Sequence, residues 1–237
     1  APEYYSQPAG NILILSAFAQ RDKAALHVAL QEVFSVAPEK FIPPLLLSWL
    51  GVQMFHDGQT EIAADYLERA TDPARPKRTE VGVWRTLAKA QNKTGRFQKA
   101  LTTVKLLLPL DQKPIWIADA HLDLAEAQLG LGQYEDALAS AKKGLEMNIP
   151  GPHLAGLHLV EGEVALQQKR MEDALAQFRT AISMVPDDPY LQPRALAGAS
   201  IAARALGDEE TATNYQNTLQ SSFPNWKPVI SISEETE

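Results

Sequence analysis

Metal or acid–base chemistry in this chain would have to start from His27, His56, His121, His153 and His158, because there is no cysteine. Two ligands share one helix face only when they stand three or four residues apart. No pair of these histidines does; His153 and His158 are five apart and point in different directions. His121 has Asp119, Asp123 and Glu126 near it, which reads as an acidic helix face rather than a ligand set. The carboxylate pairs Asp187-Asp188 and Glu209-Glu210 fall in turns or first helical turns, where they complement the helix dipole. There is no GxSxG, no GxGxxG and no phosphate-cradling loop; Lys93-Thr94-Gly95 is only a turn. The expectation is therefore no enzyme, no cofactor and no metal site. One set of residues does have the spacing for recognition. Arg85, Lys89 and Asn92 recur at i, i+4 and i+7, so they share a helix face of hydrogen-bond donors.

The elements that must position such a face repeat along the chain. Residues 120–147 read as two amphipathic helices joined by Leu131-Gly132-Gln133. Steps of 37 from Gly132 reach Lys169 forward and Gly95, Gly58 and Arg21 backward, and a further step of 38 reaches Gly207. Five residues after these turns stand Leu26, Ala63, Ala100, Ala137, Ala174 and Ala212. Seven before them stand Ile14, Gly51, Ala88, Ala125, Gly162 and Ser200. Ten of these twelve residues are small, as two helices crossing closely require. A larger side chain at such a contact costs ~1–3 kcal/mol. Twelve after the turns come Val33, Ala70, Leu107, Gly144, Ala181 and Leu219, mostly apolar and placed to face the next unit.

The predicted helices are 11–20, 24–36, 44–56, 61–70, 79–93, 97–108, a pair within 120–147, 153–167, 171–185, 191–206 and 208–222. Asn11 and Thr60 are placed to cap two of them. Connectors rich in proline separate the hairpins, for example residues 71–76, 109–114, 149–152 and 185–189. Residues 1–10 read as an irregular lead-in, 11–224 as one repeat array and 225–237 as a tail. Within the tail, Val229-Ile230-Ser231-Ile232 is apolar and Glu234-Glu235-Thr236-Glu237 acidic.

The pattern of small residues, Gly132 at the turn and Tyr134 opening the second helix resembles the tetratricopeptide repeat. Residues 154–186 are similar to it through Gly162, Ala174, Phe178, Ala181 and Pro186, and residues 193–224 through Gly207, Ala212 and Pro224. The resemblance covers about residues 11–224, with a period longer than the family's ~34 and a degenerate first copy that suits a terminal cap. It implies an all-α, right-handed superhelical solenoid of about six antiparallel helix-turn-helix repeats. It also implies a protein-interaction scaffold whose first helices line a concave groove for a peptide or protein segment. Carried onto this chain, the groove positions include Ser48, Val52 and Phe55, then Arg85, Lys89 and Asn92. Further along they include Leu122, Glu126 and Leu129, then Leu159 and Glu163, then Arg194 and Arg204. The leucines would form apolar pockets beside the basic stripe, which suits an extended peptide with acidic groups. The family's carboxylate clamp for chaperone C-termini is not reproduced. Lys89 and Asp123 stand at its two asparagine positions, and Gly156 and Val160 at its last two.

The net charge of −7 and pI near 5.3 argue against a nucleic-acid partner. No apolar run is long enough for a spanning helix, so direct membrane insertion is not expected. A chain starting at Ala1 fits an excised piece or a removed signal peptide, and points toward a bacterial exported, periplasmic protein. Two alternatives to the scaffold reading remain. One is a structural subunit that associates with itself or with a larger assembly through its convex surface or tail. The other is an accessory domain of a larger enzyme or sensor.

Overall fold

A computed structural model describes residues 2–111 and 113–228, with side chains from Gly10 onward. Among these residues the chain forms twelve α-helices, one 3₁₀ turn at Pro76–Arg78 and no strand. The helices are α1 (Pro2–Ala19), α2 (Lys23–Val36), α3 (Pro44–His56), α4 (Thr60–Ala70), α5 (Val81–Lys93) and α6 (Phe97–Leu107). They continue as α7 (Pro114–Gly130), α8 (Tyr134–Glu146), α9 (Pro152–Gln167), α10 (Met171–Met184), α11 (Leu191–Ala205) and α12 (Glu209–Ser222). This is the all-α helical repeat that the 37-residue register predicts.

The six predicted turn residues all adopt left-handed backbone. Their φ values are 56° at Arg21, 76° at Gly58, 71° at Gly95, 73° at Gly132, 58° at Lys169 and 79° at Gly207. Each turn is closed in the same way. The amide of the residue after the left-handed position bonds back across the turn, as Gln59 N does to Met54 O at 2.9 Å and Gln133 N to Gln128 O at 2.9 Å. The close-crossing positions are as tight as their side chains imply. A Cβ on Gly51 would lie 2.7 Å from Leu67, and one on Gly162 would lie 2.8 Å from Phe178. Ala63, Ala100, Ala137, Ala174 and Ala212 are all fully buried.

The chain divides into two compact units, residues 1–90 and 91–237, with the division inside α5. The register runs through α5 without a break, so the sequence carries no sign of this division. In the first unit, Leu26, Leu30, Leu50 and Leu67 form the fully buried centre. Phe18 meets Trp49 edge-on at 5.6 Å, and the Arg21 guanidinium lies over both rings at 4.7 and 5.2 Å. Lys23 pairs with Asp57. Trp84 is buried and its indole N–H donates to Pro76 O at 3.1 Å, which ties the proline-rich connector down.

In the second unit, Phe178 on α10 is a wedge between α9 and α11. It fills the space that a Cβ on Gly162 or Gly198 would need, the latter at 2.3 Å. Gly144 sits against Leu157 of the following hairpin, the inter-repeat contact expected for that position. Two hairpins carry the same buried polar bridge one repeat apart. The Thr103 hydroxyl donates to Gln91 Oε1 at 2.7 Å, and the Ser140 hydroxyl lies 2.6 Å from the Gln128 carboxamide. At the start of α11 Asp188 Oδ1 accepts from Tyr190 N and Leu191 N at 2.8 Å each.

Three local expectations are corrected. The segment 2–10 is helical, not an irregular lead-in: it is the first half of α1. Asn11 is consequently inside a helix and caps nothing. Thr60 is the first residue of α4 rather than its cap, and its hydroxyl donates to Gly58 O at 3.3 Å. The apolar and acidic stretches of residues 229–237 lie outside the described residues.

Candidate interaction surface

In the first unit, Ser48, Val52 and Phe55 on α3 are half-buried, as are Arg85 and Lys89 on α5. Pro44 at the first helical position starts α3, and the Asp57–Gln59 turn ends it, which fixes the rotation of that face. In the second unit, most of the expected positions are buried. Leu122 and Leu129 pack in one apolar cluster with Ala137 and Leu157, and Leu159 packs in another with Phe178 and Ala195. Neighbouring helices thus fill the space around these leucines. Asn92 is 1% exposed, and its Nδ2 donates to Asp123 O at 2.8 Å, so that donor is spent on helix packing. Arg204 is exposed, donating to Gln216 Oε1 at 3.0 Å and lying 3.7 Å from Glu209.

Glu126, Glu163 and Arg194 come together. Glu126 and Glu163 each follow a close-crossing position, one repeat apart, on α7 and α9. Arg194 reaches both from α11. Its Nη1 donates to Glu126 at 2.6 Å, its Nη2 to Glu163 at 2.8 Å, and its Nε to Glu163 at 3.2 Å. All three side chains are less than a tenth exposed. Tyr190 roofs the group. Its ring lies 4.9 Å from the Arg194 guanidinium and 4.3 Å from Lys93 Nζ.

One guanidinium faces two carboxylates in a dry place. Burial lifts the Glu163 carboxyl above its ordinary value, although Arg194 pulls the other way. Burial also works against the Arg194 charge, but the carboxylates of Glu163 and Glu126 outweigh it and the guanidinium holds its proton more tightly than usual. Burial raises the Tyr190 hydroxyl, which stays a neutral phenol. The His121 imidazole is held below its usual value by burial and by Lys143. Among the described residues no three His, Asp or Glu side chains converge as metal ligands.

The repeat register places Glu126, Glu163 and Arg194 at separate positions without showing that they meet, and it marks neither Tyr190 nor Lys93 as part of a site. Tyr190 stands in a connector just before α11, outside any repeat position that could have marked it.

Residues 122–189 match a family model of the tetratricopeptide repeat. No curated protein matches the sequence. Among solved structures, the chain is similar to a thermophilic tetratricopeptide-repeat protein of Thermus thermophilus, at 22% identity and a TM-score of 0.59, over 77% of this chain and 92% of that one. It is also similar to Pseudomonas aeruginosa pilF, at 14% identity and a TM-score of 0.56, over 95% of this chain and 96% of that one. The apo quorum sensor NprR of Bacillus thuringiensis aligns at 16% identity and a TM-score of 0.63, over 94% of this chain and 65% of that one. Residues 122–189 are therefore tetratricopeptide repeats, and the described chain as a whole has the tetratricopeptide-type helical-repeat fold.

Proposed function

We propose that this chain is a protein-interaction scaffold that holds an extended segment of a partner protein along the first helices of its hairpins. The observation that carries this reading is the meeting of Glu126, Glu163 and Arg194. Residues at recurrent positions of three successive first helices reach one another, so the repeat register becomes a shared surface. In the second unit that surface is closed by its own ion pairs and by Tyr190. The half-buried positions on α3 and α5 are the better candidates for a partner. There Arg85 and Lys89 stand beside the mixed apolar edge of Ser48, Val52 and Phe55, and an acidic group of the partner would compete with their partners within the chain. A partner with acidic groups is repelled at long range by the net charge of −7, so its binding depends on these local donors and weakens with salt.

Site-specific photo-crosslinking in cells producing the full protein tests this. A benzophenone side chain at Ser48, Val52, Arg85 or Lys89 is expected to give the same crosslinked partner band. The same group at the exposed second-helix residues Lys105, Lys142 and Glu172 is expected to give none. Crosslinks only from the second-helix positions would overturn the reading.

A second reading, a subunit that meets another copy of itself, is favoured by one observation. Among the described residues, seven of the ten exposed large apolar side chains lie between Ile12 and Leu45. They include Leu13, Val36 at 80% exposure and Phe41 at 78%.

A further inference from the structure

On α7 and α9 the face that meets the preceding hairpin is plain. On α7, Ala127 packs with Ala100 and Leu101 of α6, and Leu124 joins them. On α9, Val160 and Val164 pack in one cluster with Ala137 and Ala141 of α8. The preceding second helix thus covers a first helix at positions nine, eight and five residues before the turn. On α1 those positions, counted from the turn at Arg21, are Ile12, Leu13 and Ser16. All three are exposed, Ile12 at 67% and Leu13 at 55%.

Successive helical residues are turned by about 100°, so Ile12, Leu13, Leu15, Ser16, Ala19 and Gln20 form one continuous arc around α1. All six are exposed, while Ile14 and Ala17 on the opposite side are buried. Ser16 lies near the middle of the arc. The small Ser16 and Ala19 between Ile12, Leu13 and Leu15 leave a groove between apolar ridges, the relief into which another helix packs. Among the described residues no other helix exposes three large apolar side chains. The last helix of the register differs. On α12, Thr213, Gln216 and Gln220 are exposed at the positions where α8 carries Leu138, Ala141 and Leu145. That is the polar face of a cap, and it offers the α1 of another copy no apolar stripe, which disfavours head-to-tail stacking. The described helix that does carry a matching stripe is α1 itself.

We propose that two copies of this chain pair through α1, each α1 covering the other across a twofold axis near Ser16. The pairing rests on the self-association reading above and names its surface. It is isologous, the same patch serving on both copies, so it closes at a dimer. A dimer joined at α1 carries two first-helix surfaces, and a partner with two copies of the recognised segment is then held by avidity as well as by each contact.

The chain has no cysteine, so a single introduced thiol can be joined only to its own copy. The full-chain variant Ser16→Cys, treated with a short bis-maleimide, is expected to give a covalent dimer. The control Glu172→Cys, exposed on α10, is expected to give no more than a trace. Sedimentation of the unmodified chain is expected to show a monomer–dimer equilibrium. The double variant Ile12→Lys/Leu13→Lys should raise its dissociation constant about tenfold or more. Both side chains are exposed, so the variant should keep its helical circular dichroism. Should it unfold, the single exposed change Ser16→Arg reads the same direction. A chain that dimerises but crosslinks no better through Ser16→Cys than through Glu172→Cys would overturn the α1 pairing and leave self-association standing. So would full dimerisation of the folded double variant. A chain that stays monomeric at every concentration would overturn both and give the α1 face to a helix of another protein.

Discussion

Six residues carry the turns, and two of them are not glycine. Arg21 and Lys169 hold left-handed backbone at φ 56° and 58°, where a Cβ crowds the following carbonyl. The penalty is ~1–2 kcal/mol, against ~0.5–1 kcal/mol for the extra unfolded-state freedom of glycine. Lys169 is exposed and recovers nothing visible from its side chain. Lys169→Gly is therefore expected to stabilise the protein by about 0.5–1 kcal/mol, read as a shift in the denaturant midpoint. Arg21 differs, because its guanidinium covers Phe18 and Trp49. Arg21→Gly should gain nothing, the lost ring contacts offsetting the relieved backbone. If both variants shifted the midpoint upward equally, the side-chain contribution assigned to Arg21 would be wrong.

Within hairpins, the first and second helices face different demands. First helices such as α7 and α9 are buried on nearly every side, so they are apolar around most of their circumference. Second helices such as α4 and α8 bury one stripe and expose the rest, so they are amphipathic. That is why a charge on a first helix, as at Glu126, Glu163 or Arg194, must find a partner inside. A buried ion pair adds little net stability, but breaking one is costly. Arg194→Met leaves two carboxylates buried without their cation and is expected to cost ~3–5 kcal/mol at neutral pH. The pH dependence follows from Glu163. Its carboxyl already sits above its unfolded value, and losing Arg194 raises it further. The folded state then binds more protons than the unfolded state between those two values, so stability falls as pH rises through that window. Chemical denaturation at pH 5 and pH 7.5 should therefore show a smaller loss for Arg194→Met at the lower pH. A loss independent of pH would show that the arginine acts through packing alone.

Across the chain as a whole, polarity is uneven. The net charge is −7, yet exposed apolar side chains gather between Ile12 and Leu45. The expectation that the first copy is a cap conflicts with this, since a cap needs a polar outer face. Among the described residues no helix is long and apolar enough to cross a membrane. Self-association would cover this surface. That reading predicts a sedimentation coefficient that rises with concentration, and a return to a single slow species in Leu13→Lys/Phe41→Lys. Both side chains are more than half exposed, so the variant should keep its fold. A wild-type protein that sediments unchanged at every concentration would end the self-association reading and leave the apolar face to a different partner.

The positions of turns, close crossings and inter-repeat contacts were legible in the sequence because each is a local demand on one residue. A left-handed turn favours glycine, and two helices in contact exclude a large side chain at the crossing. These demands recur every 37 or 38 residues, and the buried alanines and the tightly packed Gly51, Gly144 and Gly162 answer them. The meeting of Glu126, Glu163 and Arg194 was not legible, because a 3.6-residue period says which residues share a face but not how far a long side chain reaches. Tyr190 and Lys93 belong to different helix ends and met only when the hairpins stacked.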